Sequence, residues 1–209
     1  MKQGMDKNNL VHTIIKSGLG AIPFGGQAAI ELFEYIVTPP ILKRRNDWEE
    51  NVGRRLAALE AEKILDIDQL CENNVFINTL LHASHIAIRT NQQERLRALE
   101  NAVVNSALPD APDEIFQQIH LNLVETLTTL HVAILGRFEG IIFGPTAPKE
   151  ILKKEFPEME RNGDLYMHIW HDLITKKLIT DRADNRLGYS ISRTKLGHGF
   201  IDFISKKNL

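Results

Sequence analysis

The sequence predicts a mainly α protein, an N-terminal antiparallel helical bundle (1–144) followed by a small module with a short β-hairpin (145–209). Three observations carry this expectation. From Trp48 to Phe138 apolar residues recur every three or four positions, the spacing of one helix face. At Gly144–Pro148 the stretch "GPTAP" places a glycine and two prolines in five residues, which breaks the helical texture. Beyond it, Tyr189 and Ile191 alternate with Ser190 and Ser192, the period of a half-buried strand.

Composition narrows the function classes. The chain has 209 residues, 43% hydrophobic and 25% charged, ordinary values for a globular protein. A formal net charge of −2 argues against a general polyanion binder. Cys71 is the single cysteine and has no internal partner, which fits a reducing compartment. Met1–Asn9 is polar and no secretory h-region follows, so a cytoplasmic protein is expected. The residues from Thr146 onward carry 12 Lys/Arg and 9 Asp/Glu, against 13 and 18 in the rest of the chain.

The first element is "GLGAIPFGGQAAIELFEYI", Gly18–Ile36. Its small residues and Phe24 suit shallow insertion into lipid, and Arg44 and Arg45 of "LKRR" suit anionic head groups. Against this, Pro23, Glu31 and Glu34 interrupt the apolar run, so it is too short to span a bilayer. The favoured reading packs Ala28, Leu32, Tyr35 and Ile36 on the bundle after a turn at Gly25-Gly26. Thr38-Pro39-Pro40 then reads as a helix start, with Thr38 as cap and prolines in the first turn. Trp48, Val52, Leu56 and Leu59 form its inward stripe, and it should end near Ile64 or Leu65.

A further helix is expected over Asp68–Arg89, broken near Asn73-Asn74. The next begins with a capping box, Thr90 or Asn91 with Gln93 or Glu94, and turns Leu96, Leu99 and Val103 inward. After "LPDAPDE", Asp110 with Pro112 starts what should be the spine. Ile115, Ile119, Leu123, Leu127, Leu130, Ile134 and Phe138 predict one inward-facing rod about 35 Å long. Such helices, joined by short loops, make an antiparallel bundle.

The C-terminal module reads as a short helix ("KEILKKEF"), a turn ("PEMERNG"), a longer helix ("DLYMHIWHDLITKKL"), a hairpin turning at "ADN", and a last helix. Thr194 caps that last helix, whose apolar face is Leu196, Phe200, Ile201 and Ile204. This order resembles a winged helix-turn-helix domain. The likeness is most specific in "HDLITKKLIT" and "SRTKLGHGFIDFI", and covers about the last 60 residues. The whole chain also resembles helical bacterial proteins of no assigned function that end in such a module, a likeness that adds no chemistry.

The resemblance implies a longer helix for the DNA major groove and a wing for the backbone. Carried over, it exposes Asp164, Tyr166, His168, His171, Thr175 and Lys176 on the helix, and sets Arg182, Arg186, Arg193 and Lys195 on or beside the wing. The helix is a poor DNA face, because no arginine is present to read guanine. The wing could meet phosphates, although Asp181 and Asp184 offset part of its charge. Many winged helices contact proteins instead, and the weak basicity favours that use.

No other constellation carries chemistry. His82/His85 and His168/His171 each share a helix face and could hold two corners of a metal site, with His120 or His131 to complete it. No acid or cysteine stands at ligand spacing, so the histidines read as hydrogen-bonded residues in or beside a core. Cys71 lies between acids in "DQLCENN", which raises a thiol pKa, and reads as a small buried residue. Phosphate-loop, nucleophile-elbow and zinc-protease motifs are missing, so neither catalysis nor a cofactor is expected. The expected function is a non-enzymatic bacterial interaction protein, an adaptor or regulatory subunit that binds a protein partner or itself. A DNA-binding transcription regulator is one alternative. A conditionally membrane-active effector of a toxicity or phage-defence system, using Phe24, Arg44 and Arg45, is another.

Overall fold

A computed structural model describes residues 27–138, 142–144, 148–184 and 188–207. The protein is mainly α, with a small antiparallel sheet near the C-terminus. It divides into two compact units, Met1–Asp47 and Trp48–Leu209. Gly18–Gly26, expected to form a turn or a lipid contact through Phe24, lies outside the described residues.

The first described helix, α1 (Gln27–Ala61), corrects the expected start at Thr38, because it runs through Pro39-Pro40. The prolines leave the carbonyls of Tyr35 and Ile36 without amide donors. Ile36 is 59% exposed, and Thr38 and Pro40 are exposed too, so water reaches that turn. Ile36 therefore does not pack in the core as expected. Further along, Trp48, Val52 and Leu59 are buried, as their spacing predicts.

The helix ends a turn earlier than expected. Lys63 takes a left-handed φ of 60°, its N–H donates to Glu60 O (2.9 Å), and Ile64 N–H reaches back to Leu59 O (2.9 Å). That pair of bonds satisfies the last carbonyls, a job usually given to glycine.

The break at Asn73 falls where expected. It separates α2 (Ile67–Glu72) from α3 (Asn74–Arg89), and the Asn73 side chain accepts the N–H groups of Val75 and Phe76. The capping box at Thr90 does not form. In α4 (Gln93–Ser106) the N-cap is Gln92, while Thr90 Oγ1 accepts Gln92 N–H outside the helix. Leu99 and Val103 are fully buried, as predicted.

The expected spine is two helices. α5 (Glu114–Thr126), capped by Asp113, and α6 (Thr129–Arg137) meet at 118°. The corner is built by Leu127, in extended conformation, and by Thr128. Thr128 Oγ1 accepts His131 N–H while Thr128 N–H donates to His131 Nδ1, a reciprocal cap that starts a new helix. Because Leu127 is buried at the bend, its spacing fits a straight rod equally well. The bend rotates α5 relative to expectation. Its inner face is Gln117, His120, Leu121 and Val124, whereas Ile115 is 70% exposed and Ile119 also faces solvent.

After β1 (Ile142–Gly144) come α7 (Pro148–Glu155), a 3-10 turn (Pro157–Glu160) and α8 (Gly163–Thr175). Then follow β2 (Ile179–Asp184), β3 (Gly188–Arg193) and α9 (Lys195–Ile204). The hairpin pairs Asp181 with Ile191, and β1 adds to the free edge of β3 with Ile142 opposite Ile191. The sheet order is β1-β3-β2. Thr194 caps α9 as expected, accepting Gly197 N–H at 3.0 Å.

Within the second unit one apolar cluster runs from Trp48 and Leu99 through Phe138 and Trp170 to Phe200 and Ile204. The sequence divides the chain at 144/145, yet residues on both sides share this core. α9 lies on α4, whose Asn105 Nδ2 donates to the carbonyls of Phe203 (2.7 Å) and Ser205 (2.9 Å). Asn101 Nδ2 donates to Ile204 O at 2.8 Å. The last carbonyls of α9 thus find their donors on the bundle, each bond contributing about 1 kcal/mol.

Candidate partner-binding face

The C-terminal elements carry one helix with a built inner face and an open outer face. Inside α8, Tyr166, Ile169, Trp170 and Leu173 recur at helical spacing and are buried. Outside are Asp164, Leu165, His168, His171 and Thr175, with Leu165 50% exposed. The helix stops at Lys177, whose φ of 60° lets Lys177 N–H and Leu178 N–H donate to the carbonyls of Ile174 and Leu173. That turn leads directly into β2. The β3–α9 junction locks against it, since Thr194 Oγ1 donates to Lys177 O at 2.6 Å. Gly197 lies so close to the Leu178 carbonyl that a Cβ there would overlap it.

Two residues expected on the contact surface are internal. Tyr166 is buried against Phe156, with ring centroids 5.6 Å apart, and its hydroxyl donates to Glu158 Oε1 at 3.0 Å. Burial, then the Glu158 carboxylate, push its pKa above the usual tyrosine value. Arg193 is only 9% exposed, and its Nε donates to Phe138 O at 2.9 Å, completing the C-terminal end of α6. It serves the fold and offers no phosphate contact. Asp181 is likewise used internally, accepting Trp170 Nε1–H at 3.3 Å.

The other expected residues divide. His168 and Lys195 are exposed. Lys176 is half-buried and its Nζ lies 3.6 Å from Asp172 Oδ1, while Asp172 Oδ2 lies 3.2 Å from His131 Nε2. This Lys–Asp–His line joins α8 to α6. Burial lowers the His131 pKa more than the Asp172 charge raises it, so the ring is neutral near pH 7. Arg182 sits in β2 opposite Ser190, with its side chain outside the described residues, and Arg186 lies outside them altogether. Arg44 Nε donates to Pro40 O at 3.2 Å within α1, and Arg45 is exposed.

Electrostatically, α8 contains Asp164 and Asp172 and no lysine or arginine. Its face offers carboxylates, imidazoles and one aliphatic side chain. The flanking α7 mixes exposed Lys149, Lys153 and Lys154 with Glu150 and Glu155. The sequence reading sets Tyr166 on the exposed side of α8 and does not name Ile169, Trp170 and Leu173 as its inner face. It also misses β1, which is only three residues long, and does not single out Leu165 as exposed.

The remaining candidates do not assemble. Among the described residues no group of three or more His, Cys, Asp and Glu side chains could hold a metal ion. Cys71 corrects expectation by being exposed on the short α2, not buried at a helix interface. Among the same residues no single helix is long and apolar enough to cross a membrane. α5 and α6 reach that length only together, across their 118° bend. Comparison of the chain with protein-family models, curated proteins and solved structures gives no match.

Proposed function

We propose that this protein is a non-enzymatic adaptor or regulatory subunit that contacts a protein partner through the outer face of α8. The observation that carries the reading is the make-up of that face: Asp164, Leu165, His168 and His171, without a basic residue on the helix. A half-exposed leucine ringed by polar groups suits a protein interface, where a few apolar anchors supply most of the affinity. Major-groove reading calls for arginine or lysine donors and phosphate-neutralising charge, which this helix lacks. The helix pair α7–α8 followed by the β2–β3 hairpin supports the winged-helix-like reading, and β1 adds a third strand to the same sheet. Burial of Arg193 removes one of the cations on which DNA contact would rest.

Leu165→Asp tests this. The wild-type chain and the variant are used to capture proteins from the native host, with bound species quantified by mass spectrometry. Partner protein retained by the wild type and lost with Leu165→Asp, at unchanged thermal stability, is the expected result. Retardation of duplex DNA by the wild type that weakens steeply with salt, with no protein lost by the variant, would replace the adaptor reading with the regulator one.

A further inference from the structure

We propose that the outer face of α5 is a self-association surface, on which a second copy of this chain packs about a two-fold axis to form an antiparallel α5–α5 pair. Among the described residues of the second unit, five large apolar side chains are exposed. Three of them, Ile115 (70%), Phe116 (46%) and Ile119 (37%), stand within five positions on α5; Leu81 and Leu165 are single. Scattered apolar side chains are ordinary on a protein surface, whereas a contiguous group on one helix face marks a contact site. The stripe is held outward by the fold. Gln117, His120, Leu121 and Val124 fill the opposite, inner face, and the Phe116 ring leans on His120 at 6.1 Å. Turning the stripe inward would expose that inner face instead.

Charge selects the occupant and its direction. α5 opens with Asp113 as cap and Glu114 in its first turn, both exposed, and carries no lysine or arginine. Asp110, just before it, is already paired with Lys207 at 2.7 Å. α9 runs antiparallel to α5, because Lys207 beyond its end meets Asp110 while Gly199 lies against His120. The start of α9, with exposed Lys195 and His198, therefore lies toward the C-terminal half of α5. There Asn122 and Thr126 are exposed and uncharged, and Glu125 is paired with Arg89 at 3.0 Å. The face is thus acidic at one end and basic to neutral at the other. A two-fold axis through the Phe116–Ile119 region sets the acidic end of each copy over the Lys195 end of its mate. A parallel pairing would instead press Asp113 and Glu114 against their own copies, which like charge disfavours. α5 is about 20 Å long. With α9 beside it, the face falls short of the roughly 800 Å² per copy of a standard interface, so the pair is weak, with a dissociation constant on the order of 10–100 μM.

The test is sedimentation of the full chain from micromolar to millimolar concentration. The wild type should show a monomer–dimer equilibrium. Ile119→Glu should weaken it about tenfold or more, with Ile115→Glu as a second, more exposed variant, both at unchanged thermal unfolding. Glu114→Lys and Lys195→Glu should each weaken the dimer about threefold, and the double variant should restore it. Leu165→Asp should leave the equilibrium unchanged, which separates this surface from the outer face of α8. A monomer at every concentration, or a dimer that survives both Ile115→Glu and Ile119→Glu, would overturn the surface. So would a dimer lost with Leu165→Asp. Failure of the double variant to restore association would overturn the antiparallel arrangement.

Discussion

His120 makes the folded state sensitive to acid, and the size of the effect follows from its surroundings. The side chain is 2% exposed on the inner face of α5, and neither ring nitrogen has a hydrogen-bond partner among the described residues. Phe116, Phe200 and Phe203 surround it, with ring centroids 6.1, 6.0 and 5.2 Å away. Burial alone lowers its pKa from 6.5 to about 4. The folded state therefore resists a proton that the unfolded chain accepts once the pH falls below about 6.5. The stability of the neutral ring is fully present above that value and is lost as the pH falls toward 4. Between pH 7.5 and 5.0 this linkage amounts to about 2 kcal/mol. His120→Leu removes the titrating group and two unpaired buried nitrogens at similar volume. The variant should be more stable than wild type by about 1–2 kcal/mol at pH 7.5. Its advantage should grow by about 2 kcal/mol at pH 5.0. Urea unfolding at both pH values measures the difference. A wild-type-minus-variant difference that does not change with pH would refute the reasoning.

Four substitutions test other joints of the fold by the same unfolding assay. Thr128→Ala removes the reciprocal cap at the α5–α6 corner and should cost about 1 kcal/mol. Lys177→Gly relieves a left-handed backbone that lysine adopts at a cost, and should stabilise by about 0.5–1 kcal/mol. Gly197→Ala drives a methyl into the Leu178 carbonyl where α9 meets the α8–β2 turn, and should destabilise by about 3 kcal/mol or prevent folding. Arg193→Met keeps the buried stem but orphans the Phe138 carbonyl, and should cost about 2 kcal/mol. If Arg193 instead served an external ligand, that substitution would leave unfolding unchanged.

Sequence periodicity read the helix faces well where one side of a helix is buried. Trp48, Val52, Leu99, Val103 and Phe200 are core residues for that reason. Punctuation by side-chain caps was also legible, since Asn73 and Thr194 form the breaks their chemistry suggests. Failures arose where two signals compete. Thr128 is a good cap inside a continuous apolar repeat, and the repeat hid it. Pro39-Pro40 suggests a start, yet an exposed turn lets the helix pass through. For the contact face, the winged-helix resemblance set His168 and Lys195 on the surface, where they are exposed, but set Tyr166 and Arg193 there too, and both are buried. Both have long side chains with a polar end, which can serve an inner carbonyl or carboxylate as readily as solvent. Their inward bonds, to Phe138 O and Glu158, come from elements distant in the chain or across a turn.

The central claim, that the outer face of α8 meets a protein, is tested most directly by a photo-reactive residue installed at Leu165 in living cells. A second probe at Lys153 on α7 serves as the comparison, since that position is exposed but basic. Irradiation should link position 165 to one protein species, with little product from position 153 and no nucleic acid in either. Links to DNA from both positions, with no protein adduct at 165, would contradict the account.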